Sequence, residues 1–147
     1  MRILIDADAC PVISETLFLA KKYDIHCIAF CDTSHMISRD NLETIVVSKG
    51  ADNADFALVN QVEKKDIVVT QDYGLAAMCL SRGASPIRQD GFIYTQDNIV
   101  GLLQIRYTEG KIRRSGGRTK GPAKRQKSEN QKYMENLEKL IIFSKND

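Results

Sequence analysis

Apolar residues come in short unbroken runs along this chain, and the runs alternate with segments of helical period. RILID at 2–6, HCIAFC at 26–31, TIVVS at 44–48 and DIVVT at 66–70 each hold at least three apolar residues in a row. Runs of that length suit strands buried on both faces. The segment reaching Tyr23 turns Val12, Leu17 and Ala20 inward and reads as a helix. Pro11 suits its first turn, where an N–H is not needed. Residues 52–64 space Phe56, Val59 and Val62 for one helix face, and YGLAAMCLSRG at 73–83 reads as a helix closed by Gly83 as C-cap. SPIR and GFIYT read as short extended pieces, and Asn98 to Tyr107 as another helix. Beyond Pro122 a polar helix turns amphipathic, with Met134, Leu137, Leu140 and Ile141 on a stripe suited to docking on the body or on a second copy in a homodimer. The alternation predicts an α/β fold: three layers, a mainly parallel sheet and helices on both faces. The expected organisation is one domain over residues 1–110, followed at 111–147 by a basic glycine-containing loop and a C-terminal helix packed on the body.

The polar residues that end these runs are unusual. Asp6 closes the first strand and Asp8 lies just past it; Asp52 and Asp55 open the helix after TIVVSKGA; Asp72 sits two residues past DIVVT. In a parallel sheet the carboxyl ends of strands lie along one edge, where ligands bind. Five carboxylates from three strands are therefore expected in one cleft. Clustered carboxylates repel and hold their protons unless a cation intervenes. Mg2+ or Mn2+ prefers such oxygens. The candidate metal ligands are Asp6, Asp8, Asp52 and Asp72, and Asp55 joins them as a catalytic candidate. Asp52 and Asp72 also suit plain helix caps, and Asp55 a first-turn acid facing the helix dipole. Ser48, Lys49, Thr70 and Gln71 stand beside these acids and could support a phosphate or a metal-bound water, or serve only as loop residues. Asp66 precedes its strand and belongs to the opposite edge. Asp32 could reach the cleft or serve as a turn residue in CDTS.

Charge adds a second feature. The net charge of +2 over 147 residues conceals nine lysines or arginines against one acid between Lys111 and Lys132. That segment carries +8 and the rest −6. Arg113, Arg114, Arg118, Lys120, Lys124, Arg125 and Lys127 are the candidate nucleic-acid-binding residues, since phosphate backbones attract such clusters. A solvated tail balancing an acidic body is the plainer reading. No aromatic residue lies between Tyr107 and Tyr133, so a base-stacking platform is not indicated there. Cys10, Cys27, Cys31 and Cys79 form no CxxC pair, and His26 and His35 complete no zinc spacing, so reduced buried thiols are expected. No apolar run is long enough to span a bilayer, and an aspartate by residue 6 argues against a signal peptide. A cytoplasmic location is the default expectation.

DADACPV (6–12), GADNAD (50–55), DIVVTQDYGLA (66–76) and TKGP (119–122) resemble the YaiI/YqxD family of uncharacterised bacterial proteins over essentially the whole chain. Gly74 departs from the resemblance, which implies proline there; that difference is expected to loosen the helix start without touching a carboxylate. The family is similar in fold to PIN-like and NYN-like nuclease domains. The resemblance implies magnesium or manganese held by Asp6, Asp8, Asp52, Asp55 and Asp72, and hydrolysis of nucleic-acid phosphodiesters, with RNA the expected substrate. Two other readings compete. One is a non-catalytic nucleic-acid- or partner-binding protein. The other is a phosphatase of the haloacid-dehalogenase type, with Asp6 as nucleophile and Asp8 as acid, although Cys10 and Pro11 fit its opening motif poorly.

Overall fold

The computed structural model describes residues 1–8, 10–50, 52–117 and 124–146. Ten elements follow one another: β1 (Ile3–Asp6), α1 (Ile13–Lys22), β2 (Cys27–Asp32), β3 (Glu43–Val47), α2 (Asn53–Gln61), β4 (Ile67–Val69), α3 (Tyr73–Ser81), β5 (Ser85–Ile87), α4 (Gln96–Arg114) and α5 (Lys127–Asn146). The five strands form one sheet in the order β3-β2-β1-β4-β5, and every ladder is parallel. The three-layer α/β architecture expected from the sequence is the one observed.

Side chains alternate across a strand, so each central run feeds two cores. Ile3, Ile5, Cys27, Ala29, Cys31, Ile67 and Val69 face the layer of α1 and α5. Leu4, Ile28, Phe30 and Val68 face α2 and α3 through Leu58, Val59, Leu75 and Cys79. This double burial explains why β4 and the first three residues of β1 are wholly apolar. Of the expected α5 stripe, Leu137 and Ile141 are fully buried and Met134 and Leu140 partly so, and Tyr133, outside that stripe, is fully buried beside them. The Tyr133 hydroxyl shares a 2.6 Å hydrogen bond with Thr16 on α1, and Thr16 also donates to the Val12 carbonyl.

At the amino edge, Asp66 is buried and accepts from the Arg2 backbone N–H at 3.0 Å, the Arg2 guanidinium at 2.7 Å and the Glu63 N–H at 2.9 Å. It ties β1 to β4 far from the carboxyl edge, as its position in the sequence suggests. All four cysteines are free, and burial pushes the Cys10 thiol up to about 11, so it is not a thiolate near neutral pH.

Three boundaries differ from expectation. Pro11 lies in a turn before α1 rather than in its first turn. Gly83 sits one residue beyond the α3 C-cap, Arg82, at φ +82°. The helix expected to end at Tyr107 starts at Gln96 behind a Thr95–Asn98 capping box and runs on to Arg114. Lys111, Arg113 and Arg114 are thus helical, and α4 crosses the boundary expected at residue 110. No helix among the described residues is long and apolar enough to cross a membrane.

Leu137→Ala removes a fully buried side chain from the α1/α5 layer and is expected to lower unfolding free energy by about 2–5 kcal/mol in urea titrations. Phe143→Ala, on the exposed side of the same helix, is expected to stay within about 0.5 kcal/mol. Equal effects would show that α5 is not docked as described.

Candidate functional site

The chain leaves β1 toward β2 on one side and leaves β4 toward β5 on the other. Strand order reverses between β1 and β4, and such a switch point opens a crevice at the carboxyl ends. Asp6 ends β1 there. Thr70 follows β4 and is fully buried. Its hydroxyl donates to Asp6 Oδ2 at 2.9 Å and accepts from the Asp72 N–H at 3.0 Å. Its carbonyl accepts from Tyr94 Oη at 3.2 Å, and its N–H donates to the Ile87 carbonyl at 3.0 Å. Thr70 therefore positions two aspartates, and its hydroxyl is spent on that task rather than facing a phosphate.

The crevice has a volume of about 390 Å³ and is lined by Asp6, Asp8, Asp32, Asp52, Asp55 and Asp72, with Cys31, Gly50, Ala54 and Gln71. All five aspartates singled out in the sequence meet here, and Asp32 joins them. Asp72 does cap α3: its Oδ1 accepts from Gly74 N at 2.8 Å and Leu75 N at 3.1 Å. Gly74 thus touches a carboxylate after all, through an N–H that proline lacks. Asp52 is different. It stands at the start of α2 in the left-handed region, φ +63°, and its side chain makes no capping hydrogen bond. A non-glycine residue held there costs about 1–2 kcal/mol. Asp52 lines the crevice.

Crowding shows in the acidities. Burial raises Asp6 to about 6; the Thr70 hydrogen bond opposes this, and the charges of Asp72 and Asp8 add to it. Burial likewise raises Asp55 to about 7, reinforced by Asp6, Asp72 and Asp52 and by a hydrogen bond with the Asp72 carboxylate. Asp6 and Asp55 are therefore weaker acids than ordinary aspartates.

Two side chains at the site were not anticipated. His35 Nδ1 lies 3.2 Å from Asp32 Oδ1 and 3.4 Å from Asp8 Oδ1. The only sequence signal was its place three residues after the aspartate of CDTSH. Ser34 N donates to Asp32 Oδ1 at 2.8 Å, the main reason that carboxyl stays below the usual range. Arg106, on α4, donates to Asp72 Oδ1 at 3.0 Å. Nothing local marked it, because the pairing spans 34 residues. Among the described residues, no three His, Cys, Asp or Glu side chains are gathered closely enough to form a ready-made metal cage.

The remaining candidates spread out. Gln71 lines the crevice and donates to buried Gln89. Ser48 and Lys49 are exposed after β3, where the Ser48 carbonyl accepts from Asn53 Nδ2. Arg113 pairs with Glu109 at 3.2 Å, while Arg114, Lys124 and Lys127 are exposed. Arg125 is committed internally. Its Nη2 donates to the Gln89 carbonyl at 2.7 Å and to Asn130 Oδ1 at 2.6 Å. Arg118 and Lys120 lie outside the described residues.

Residues 4–142 match the family model described as an uncharacterized BCR, the YaiI/YqxD family. A UPF0178 protein of Exiguobacterium sibiricum is 45% identical over 141 residues, covering 96% of each chain. One of Clostridium tetani is 45% identical over 141 residues, covering 96% of this chain and 97% of the relative. One of Bacillus anthracis is 44% identical over 125 residues, covering 83% and 86%. No solved structure matches the chain. The resemblance carried by DADACPV and DIVVTQD thus extends over nearly the whole length, and the chain belongs to the YaiI/YqxD family.

Proposed function

We propose that the chain is a divalent-metal-dependent nuclease that hydrolyses phosphodiester bonds of RNA in the acidic crevice. The observation that carries this is the forced proximity of Asp6, Asp55 and Asp72, two of which hold their protons to about 6 and about 7. A protein gains nothing in stability from such crowding. A hard cation offsets it. The donor set fits Mg2+ or Mn2+: all carboxylate oxygens, with Asp6, Asp8, Asp52 and Asp72 the residues that would hold the ion. When bound, the ion supplies Lewis-acid polarisation of the phosphate and an activated water. Asp55, which shares a hydrogen bond with the Asp72 carboxylate, is the candidate to accept the proton of the attacking water. Thr70 fixes the spacing of Asp6 and Asp72. A non-catalytic nucleic-acid-binding role is the second reading. It is favoured by the lack of a ready-made cage among the described residues.

Labelled single-stranded RNA is expected to be cleaved in the presence of Mn2+, and the Asp6→Asn/Asp72→Asn variant to be slower by at least about 10²-fold. Asp55→Asn is expected to slow cleavage by about 10²-fold or more. Identical background from wild type and the double variant would leave only the binding reading.

The same crowding has a thermodynamic signature. A carboxyl whose folded pKa exceeds its unfolded value stabilises fully below the unfolded value, and that stability is lost as pH rises through the folded one. Wild type is therefore expected to lose stability between about pH 4 and pH 7 on account of Asp6 and Asp55. Asp6→Asn is expected to be about 2–3 kcal/mol more stable than wild type at pH 8 and equal to it at pH 4. Added Mn2+ is expected to raise the wild-type Tm at pH 8. A flat pH response in both proteins would remove the electrostatic basis of the proposal.

A further inference from the structure

We propose that the outer face of α4 is a track for a single-stranded segment of RNA, joined to the acidic crevice by Arg106. This rests on the nuclease reading of the crevice and names where its substrate lies. Leu103, Arg106, Tyr107, Gly110, Arg113 and Arg114 line one groove of about 380 Å³. Their spacing of three, four, seven, ten and eleven residues places them on one helix face. The amino half of α4 packs on α3 through Ile99, Leu102 and Leu103. From Arg106 to Arg114 the helix runs on for about 12 Å, with no fully buried residue.

The chemistry of the groove matches a nucleic-acid strand. Guanidinium forks suit phosphate oxygens. Tyr107 is 65% exposed, and an aromatic ring set among cations can stack an unpaired base. Among the described residues the groove offers only Leu103 as an aliphatic contact, which is poor provision for a peptide's apolar side chains. Gly110 supports the assignment. Glycine weakens a helix interior, yet a Cβ here would meet only the Arg114 guanidinium, at 3.4 Å. Packing does not require the glycine. Its absent side chain leaves a notch between Arg106 and Tyr107 on one side and Arg113 and Arg114 on the other.

The groove also touches the crevice. Arg106 Nη1 lies 3.0 Å from Asp72 Oδ1. A phosphate reaching this junction competes with Asp72 for the guanidinium. Arg106 is thus a positioning residue: it passes from a carboxylate to the substrate backbone and leaves the strand beside the aspartates. Stacking on Tyr107 needs an unpaired base, so the track selects single strands over duplexes.

The test is fluorescence anisotropy with a short labelled single-stranded RNA, in EDTA so that neither metal nor turnover contributes. Wild type is expected to bind with a steep salt dependence. Arg106→Ala and Arg114→Ala are each expected to reduce the slope of log K against log salt by about 0.7. Tyr107→Ser is expected to weaken binding roughly 5- to 100-fold with the slope unchanged. Gly110→Ala is expected to raise helicity in circular dichroism yet weaken binding, a combination that a purely structural glycine does not give. Lys139→Ala, on α5, is the control and is expected to match wild type. No binding by wild type at low salt, or equal binding by wild type, Arg106→Ala and Tyr107→Ser, overturns the track while leaving hydrolysis at the aspartates standing. A polyglutamate peptide binding as tightly as RNA, with Tyr107→Ser silent, overturns it in favour of an acidic protein partner. Intact binding with no cleavage under any metal removes the nuclease reading and leaves the track in place.

Discussion

Thr70 sits where the sheet changes direction, and its one hydroxyl serves two strands at once. It donates to Asp6 at the end of β1 and accepts from the backbone of Asp72 beyond β4. It links two carboxylates placed at adjacent strand ends. They face a shared crevice, and Asp55 is drawn in against Asp72. The apolar strands beneath make this possible. Ile3, Leu4, Ile5, Ile67, Val68 and Val69 are all fully buried, so the central ladder has no freedom to splay and relieve the repulsion. Core packing thus holds a high-energy arrangement of charge, which is how functional sites commonly store strain.

Acid and base are kept apart and then joined at one point. The crevice gathers six aspartates, whereas α4 carries Arg106, Arg113 and Arg114 on one helical face. Arg106 reaches back, to the carboxylate that also caps α3. Asp72 therefore answers to the helix end, the crevice and the cationic ridge together. Arg125, despite its place in the basic run, belongs to the scaffold through Gln89 and Asn130. Membership of a charged segment did not determine what each charge does.

Much of the site was legible because its logic is local. An apolar run followed by an aspartate marks a strand end, and parallel strands put those ends on one edge. Asp6, Asp8, Asp52, Asp55 and Asp72 follow from that alone. The course of α4 was not legible: apolar periodicity fades after Tyr107, and the basic, glycine-containing stretch from residue 111 reads as a loop. The helix continues because its backbone bonds are satisfied within it, not because its outer face packs on the body. Tyr133 escaped the α5 stripe because its partner, Thr16, lies 117 residues away. Arg106, the bond from Thr70 to Asp6 and the approach of His35 to Asp8 were hidden for the same reason. Each is defined by a neighbour that only the folded sheet supplies.

The central claim is that the crowded carboxylates are a cation site. It is tested most directly by a crystal grown or soaked with Mn2+ near pH 8 and measured at the manganese absorption edge. The account expects an anomalous peak within bonding distance of Asp6 and at least one of Asp52, Asp55 and Asp72. A saturating soak that leaves the crevice without a peak, its aspartates unmoved, would contradict it.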